Sequence, residues 1–301
     1  MAANGISRLE FKRQRQNAKL ALAADKRAAD GRRATLDITQ LPTVYAEDSN
    51  NTNDVIDNPN TGGLVEGRPW TNIPPEPEPE PEPEPAVVLL LDAADYSGSG
   101  DWLDTSGNNN DASLQGTPEY SATGPTFFDL VPTEGDFFTV NDDDSLDTMT
   151  EISVEMWINI DAIGSAGPNM LFSKRSTVAD GYIGFFTTTS WTFRFGTGVG
   201  TGLTYAAAPA TGVWQQIVAT IGTGGSKFYI NGNEVSTSAY TGDSNNVSNA
   251  AALDLFEVNP RPQTGPERMD GKVGLIRIYN GVLSDTNVAN NFNNSKARFG
   301  L

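Results

Sequence analysis

The sequence predicts an all-β protein over residues 86–301: a two-sheet sandwich of the jelly-roll kind, carried behind an N-terminal helical and extended arm and a Pro-Glu stalk. Three observations lead there. Residues 86–301 break into short apolar or alternating runs separated by clusters of Gly, Asn, Asp, Ser and Thr. One of these runs alternates strictly, with Ile152, Val154, Met156, Ile158 and Ile160 set against Ser153, Glu155, Trp157 and Asn159. An unbroken Pro-Glu repeat from Pro74 to Pro85 separates all of this from a basic segment of quite different texture.

The first element is a helix over about residues 7–30. Ser7-Arg8-Leu9-Glu10 has the spacing of a capping box, Gly31 is a natural stop, and Lys19 to Ala24 are good helix formers. Few of its residues are large and apolar, so this helix needs a partner to be ordered. From Asp48 to Trp70 the chain is rich in Asn, Asp, Gly and Pro and reads as irregular or extended. Residues 1–73 therefore form an arm, and residues 74–85 a polyproline II spacer reaching roughly 35 to 40 Å at about 3.1 Å per residue.

Within residues 86–301 the predicted strands are Val87 to Leu91, Ile152 to Ile160, Gly181 to Thr187, Trp191 to Phe195, Trp214 to Ile221, Lys227 to Ile230 and Lys272 to Tyr279. Asn231-Gly232 supplies a hairpin turn after the sixth of them.

Composition excludes several kinds of chemistry. The 301 residues contain no Cys and no His, which removes disulfides, thiolate or imidazole metal sites and the Ser-His-Asp arrangement, leaving paired carboxylates as the enzymatic option. The net charge of −18 is divided unevenly: residues 1–33 hold nine Lys and Arg against three Asp and Glu, leaving 11 against 35 for the remainder. An acidic body repels phosphate backbones and anionic lipid, so nucleic acid is disfavoured as a ligand of residues 34–301. The basic arm could bind an acidic protein surface, touch packaged DNA, lie on a membrane or be a plain soluble helix; its weak apolar content disfavours the membrane, and docking into a larger assembly is the reading taken. No run of about 18 apolar residues is present, and Lys12, Arg13, Arg15, Lys19, Lys26 and Arg27 interrupt any secretory leader, so neither a membrane span nor a signal peptide is expected.

Seven stretches, in order, resemble the laminin-G-like branch of the concanavalin-A-like lectin/glucanase superfamily over residues 87–301. They begin with Leu90-Leu91-Asp92-Ala93 and Trp102 to Asn108, and continue with Phe138-Thr139-Val140 followed by Ser145-Leu146-Asp147. Ile152 to Ile158, Gly212 to Val218, Lys227 to Gly232 and Gly271 to Asn280 complete the match, with Leu283-Ser284-Asp285 and a short helical tail after it. The arm is separately similar to the opening of virion structural proteins from tailed phages of marine cyanobacteria, through Met1 to Ser7, Leu36 to Thr43 and Asp57 to Trp70. These resemblances imply a protein made in the host cytoplasm and built into the virion. Other virion proteins would be met through residues 1–70, with Arg8, Lys12, Arg13, Arg15, Lys19 and Trp70 as docking residues, and the sandwich could meet host-surface polysaccharide. A decoration or cement protein without a ligand and a glycan-degrading enzyme on the same fold are the alternatives; a homo-oligomer is open, since no heptad repeat is present.

For catalysis the superfamily's glycosidases need two carboxylates about 5 to 9.5 Å apart. Glu151 and Glu155 lie four residues apart, about 13 Å along a strand, and Glu155 reads as part of a solvated sheet face, so no catalytic residue and no enzyme activity is expected. Trp157, Trp191 and Trp214 could stack on sugar rings, Trp157 and Trp191 being the selected candidates, although their strand positions favour core packing. No cofactor is expected; calcium, if bound, would be held by Asp142, Asp143 and Asp144, a run that reads first as a solvated loop. Asp104, Ser106 and Asn108 read as a tight turn rather than a metal loop.

Overall fold

The computed structural model describes residues 83–164, 167–177, 180–196, 202–244, 247–257 and 267–301. The expected arm helix, the docking residues Arg8, Lys12, Arg13, Arg15, Lys19 and Trp70, and the Pro-Glu run up to residue 82 lie outside them.

The described strands, in chain order, are β1 (Ala86–Asp92), β2 (Ala112–Gln115), β3 (Glu119–Ser121), β4 (Phe127–Leu130), β5 (Phe137–Val140), β6 (Ile152–Ala162), β7 (Asn169–Lys174), β8 (Tyr182–Phe186), β9 (Trp191–Phe195), β10 (Leu203–Tyr205), β11 (Trp214–Gly222), β12 (Gly225–Ile230), β13 (Asn233–Ser238), β14 (Leu253–Leu255) and β15 (Asp270–Asn280). One helix, α1 (Asp285–Ser295), and a 3₁₀ turn, Lys296–Phe299, close the chain.

The strands form two antiparallel sheets. An eight-stranded sheet runs β13-β12-β11-β6-β15-β4-β3, with β1 also paired to β15; a seven-stranded sheet runs β10-β9-β8-β7-β14-β5-β2. All seven predicted strands are present. Period-two alternation explains β6 directly: Ile152, Val154, Met156, Ile158 and Ile160 enter the core between the sheets, and the residues between them point away. The core is rich in aromatic edges, with Trp102 4.8 Å from Phe128 and Phe128 5.1 Å from Phe138, ring centre to ring centre. Asn231 (φ 51°) and Gly232 (φ 75°) make the β12-β13 turn, whose left-handed backbone suits the twist of a hairpin.

The outer face of the eight-stranded sheet is divided in two by the C-terminal segment. Ser284 caps α1 by accepting from Asn287 N at 3.2 Å, and the helix then lays Leu283 and Val288 against Val218, Tyr229 and Tyr279. Beyond the helix, Phe299 stacks on Trp157 (4.3 Å, 11°) and Phe292 stacks on it at 5.8 Å. Gly274 permits this approach, because a Cβ there would come within 2.4 Å of the Phe299 ring. Arg298 fastens the end by an ion pair to Asp92 at 2.6 Å.

Candidate functional site

The covered half of that face overturns the expectation of a solvated Glu155. The residue is fully buried, its carboxylate accepting from Gln216 Nε2 (2.8 Å), Tyr279 Oη (3.1 Å), Asn291 Nδ2 (3.1 Å) and Arg277 Nη1 (3.3 Å). Burial would weaken the Arg277 charge, but the adjacent Glu155 outweighs it and holds the guanidinium above its ordinary value. Burial and then the same carboxylate push the Tyr279 hydroxyl well above the usual phenol range. With four donors on it and a helix over it, Glu155 is a structural clasp between β6, β11, β15 and α1. Glu151 is occupied elsewhere, accepting from Thr223 N and Thr223 Oγ1 at 2.7 and 2.8 Å.

On the outer face of the other sheet, Asp254 is buried and accepts from Thr139 Oγ1 at 2.8 Å, while Glu257 is ion-paired with Arg268. Both carboxylates are thus spent on neighbours.

Trp157 and Trp191 are each 0% exposed, so neither presents a ring face to a sugar. Trp157 is sealed by Phe292 and Phe299, and Trp191 packs in the core against Phe186 and Phe228 at 5.3 and 5.5 Å. Both are aromatic anchors of the fold.

The acidic loop is also rearranged relative to the sequence reading. Lys174, fully buried, directs its ammonium to Asp142 Oδ1 (2.7 Å), Asp147 Oδ1 (2.5 Å) and the Asn249 carbonyl (2.9 Å), so its three N–H donors meet three acceptors. The protein itself supplies the cation that this loop could have sought from calcium. Asp143 instead accepts from Ser145 N at 2.8 Å, a bond that holds its carboxyl below the ordinary range, and Asp144 begins the 3₁₀ turn Asp144–Leu146. Among the described residues no group of three or more acidic side chains is placed to hold a metal ion. Asp104 organises a turn, accepting from Leu90 N, Ser106 N, Ser106 Oγ and Asn110 N at 2.7 to 2.9 Å.

Two open features stand out among the described residues. At one end of the sandwich, Thr150, Thr223, Thr241, Gly242, Asp243 and Ser244 line a shallow cleft of about 280 Å³, with no aromatic wall. The second is the uncovered half of the eight-stranded outer face. There Trp214 lies opposite Asn159, Asn159 opposite Lys272, Lys272 opposite Asp129, and Asp129 opposite Glu119, one residue from each of five adjacent strands. Alternation with core residues points all five outward.

Among the described tryptophans, Trp214 keeps partial exposure, whereas Trp102, Trp157 and Trp191 are fully buried. Its ring leans on Phe299 (4.8 Å) and Phe127 (5.9 Å), and its neighbour Val213 is 50% exposed. Lys272 is ion-paired with Asp161 and lies 3.6 Å from Asp129. Burial pulls the Lys272 ammonium down, yet the hydrogen bond it donates to Asp161 and the charge of Asp129 hold it above its ordinary value. The Asn159 amide oxygen is buried and meets no hydrogen-bond donor. Sequence reading named Trp214 beside Trp157 and Trp191 but did not select it. Its signal was position: it opens its strand, where a ring escapes full burial.

A sandwich of two antiparallel sheets with this strand order defines a lectin-like class of fold. The chain belongs to the concanavalin A-like lectin/glucanases superfamily, a laminin G-type domain of which matches residues 132–289. Solved structures of clostridial toxin binding domains share the architecture. The botulinum neurotoxin type C domain, described as depending on two ganglioside molecules for cell entry, is 16% identical with a TM-score of 0.55. The neurotoxin DC binding domain, solved with rat synaptotagmin II, is 15% identical with a TM-score of 0.55. Each match covers 69% of this chain and 51% of the other. The binding domain of paraclostridial mosquitocidal protein 1 is 15% identical, with a TM-score of 0.53 over 69% of this chain and 52% of that one. This chain thus spans about half the length of these neighbours, and at such identities the likeness establishes the fold. A search among curated proteins finds no match.

Proposed function

We propose that the chain is a non-enzymatic virion structural or appendage protein whose sandwich makes contact with the host surface. The observation that carries recognition is the half-open outer face of the eight-stranded sheet, where a partly exposed Trp214 stands in line with four polar side chains. Catalysis is disfavoured because Glu155, Asp254 and Glu257 are committed to hydrogen bonds and ion pairs within the fold. The toxin neighbours, about half of whose length this chain matches, are described as interacting with two ganglioside molecules and as bound to synaptotagmin II, which supports a surface glycan or protein as the class of partner.

The virion assignment rests on the chain's layout and on the resemblance of its arm. Residues 1–73 are the docking arm, residues 74–85 the spacer and residues 86–301 the displayed domain. The basic balance of residues 1–33 suits an acidic site on another virion protein. Deleting residues 1–70 is expected to abolish incorporation into particles while the sandwich stays folded, read by mass spectrometry of purified virions and by a thermal melt of the truncated chain. Undiminished incorporation would remove the arm from the scheme. A virion reconstruction with the sandwich wedged between capsid subunits would make the protein a cement instead.

A further inference from the structure

We propose that Lys174 and Asp147 join in an intramolecular isopeptide bond, their side chains condensing with loss of water while Asp142 carries the protons. The bond concerns how the sandwich is held together and is independent of the recognition role above. Composition gives it a place: with no Cys in 301 residues, the chain has no disulfide to make.

An amine and a carboxyl condense poorly in water, because both are charged, they rarely meet, and water drives the reverse step. The fold lowers each of these obstacles. Lys174 is fully buried and its Nζ lies 2.5 Å from Asp147 Oδ1. That contact sets the nitrogen about 3–3.5 Å from the carboxyl carbon, a near-attack separation equivalent to a very high local concentration. Both partners are fixed in advance: Lys174 closes β7 opposite Tyr182 of β8, and Asp147 N donates to Asp144 O at 3.1 Å at the end of the 3₁₀ turn. Asp147 is 10% exposed against 37% for Asp142, so it is the carboxyl that water reaches less and the one assigned to the amide.

The neighbours supply the auxiliary groups. Asp142 Oδ1 accepts from the same ammonium at 2.7 Å, and its partial exposure lets it exchange protons with solvent. The Asn249 backbone meets both reactants. Its carbonyl accepts from Nζ at 2.9 Å, and its N–H reaches Asp147 Oδ1 at 3.5 Å, where negative charge gathers as the carboxyl is attacked. Tyr182 is buried and its hydroxyl meets no partner; burial, and then the charges of Asp147 and Asp142, hold it well above the usual phenol range. A protonated hydroxyl thus stands near both carboxylates. An ion pair alone needs one carboxylate; the second leaves unbalanced negative charge at the edge of a buried site, and proton transfer gives it a use.

The step balances within the chain. The ammonium passes one proton through Asp142 to the Asp147 carboxylate, leaving an amine beside a neutral acid. The nitrogen lone pair then attacks Asp147 Cγ and the C–N bond forms. A second proton moves from nitrogen through Asp142 to the departing oxygen, the C–O bond breaks, and water leaves. Nitrogen keeps one hydrogen, which stays with the Asn249 carbonyl. Nothing is oxidised or reduced. The amide ties the end of β7 to the turn before β6 and restricts the unfolded chain as a disulfide would.

Intact-mass spectrometry of the purified full-length protein in denaturing solvent tests the bond. The wild type is expected about 18 Da, one water, below the mass of its sequence, and fragmentation of a chymotryptic digest should find Asp147 joined to Lys174. Lys174→Arg keeps the charge but cannot form the amide, so it should show its full sequence mass and a lower thermal midpoint. Asp142→Asn keeps both reactants and should leave a measurable fraction of molecules at full mass. Wild-type protein at its full sequence mass overturns the proposal and leaves Lys174 as an ion pair. A water loss that fragmentation places elsewhere, such as a succinimide at Asp180-Gly181 or Asp270-Gly271, overturns it too, as does a branch at Asp142 in place of Asp147. Complete cross-linking in Asp142→Asn overturns the role of Asp142 as proton carrier.

Discussion

The two halves of one sheet face differ more than their shared strands suggest. On β6 and β11 the outward residues Glu155 and Gln216 are fully buried in a clasp that Asn291 of α1 joins, while the outward residues Asn159 and Trp214 on the same strands remain partly exposed. Moving a few residues along a strand carries a side chain from a sealed polar clasp to an open row. The face is therefore not functional or structural as a whole; the reach of the C-terminal segment decides which part is which.

The largest expected effect separates the two tryptophans that this boundary divides. Trp157→Ala removes a fully buried ring stacked between Phe292 and Phe299 and is expected to cost about 3–5 kcal/mol. Trp214→Ala removes a partly exposed ring and should cost about 1 kcal/mol. Urea unfolding measures both, and equal losses would break the distinction between the halves.

A comparable contrast holds for the carboxylates. Glu155→Ala leaves Arg277 beside an empty place in a buried cluster and is expected to cost about 3–5 kcal/mol. Asp129→Asn on the open row weakens one of several partners of Lys272, at 31% side-chain exposure, and should cost no more than about 1 kcal/mol. Loss of α1 protection in hydrogen exchange for the first variant and not the second would tie the difference to the clasp.

Much of the architecture is legible in the sequence, because strand alternation and turn chemistry are local. Ile152 to Ile160 declares both its strand and its core face, and Asn231-Gly232 declares its turn. The short strands β2, β3, β4, β5, β10 and β14, of three or four residues, are too brief to set up a pattern; they, and the six-residue β7 and β13, were not among the predicted strands. Coverage is not local either. Alternation gives Ser153, Glu155 and Trp157 a common face but cannot say that residues 130 positions later come back to cover it; Leu283 N in fact donates to Ser153 Oγ at 2.9 Å. The trace in the sequence is a large ring, Trp157, on an otherwise polar face, together with Phe292 and Phe299 in the tail. Lys174 likewise ends the apolar run Met170-Leu171-Phe172 without announcing that Asp142 and Asp147 await it. The site was legible only as a set of tryptophans; choosing Trp214 required knowing where the covering segment stops.

The smallest expected effect is the most selective, because the two halves should respond to acid with opposite signs. At the start of α1 the hydrogen bonds from Lys227 and then Tyr229 hold the Asp285 carboxyl below its ordinary value. Such a group stabilises the fold above the unfolded carboxylate value of about 3.9, and the benefit is lost as pH falls through the depressed folded value. Its side chain is 67% exposed, so solvent screening limits the benefit to a few tenths of a kcal/mol, up to about 1. On the open half, burial and the charges of Asp161 and Asp129 raise the Asp270 carboxyl. Its ionisation therefore costs stability, beginning as pH rises past about 3.9 and complete above the raised folded value. At pH 7, Asp285→Asn should lower the urea midpoint and Asp270→Asn should raise it slightly; near pH 3 both differences should shrink as the carboxyls take up protons. Same-sign shifts at neutral pH would mean that the crowded negative charge around Asp270 on the open half is already balanced by Lys272.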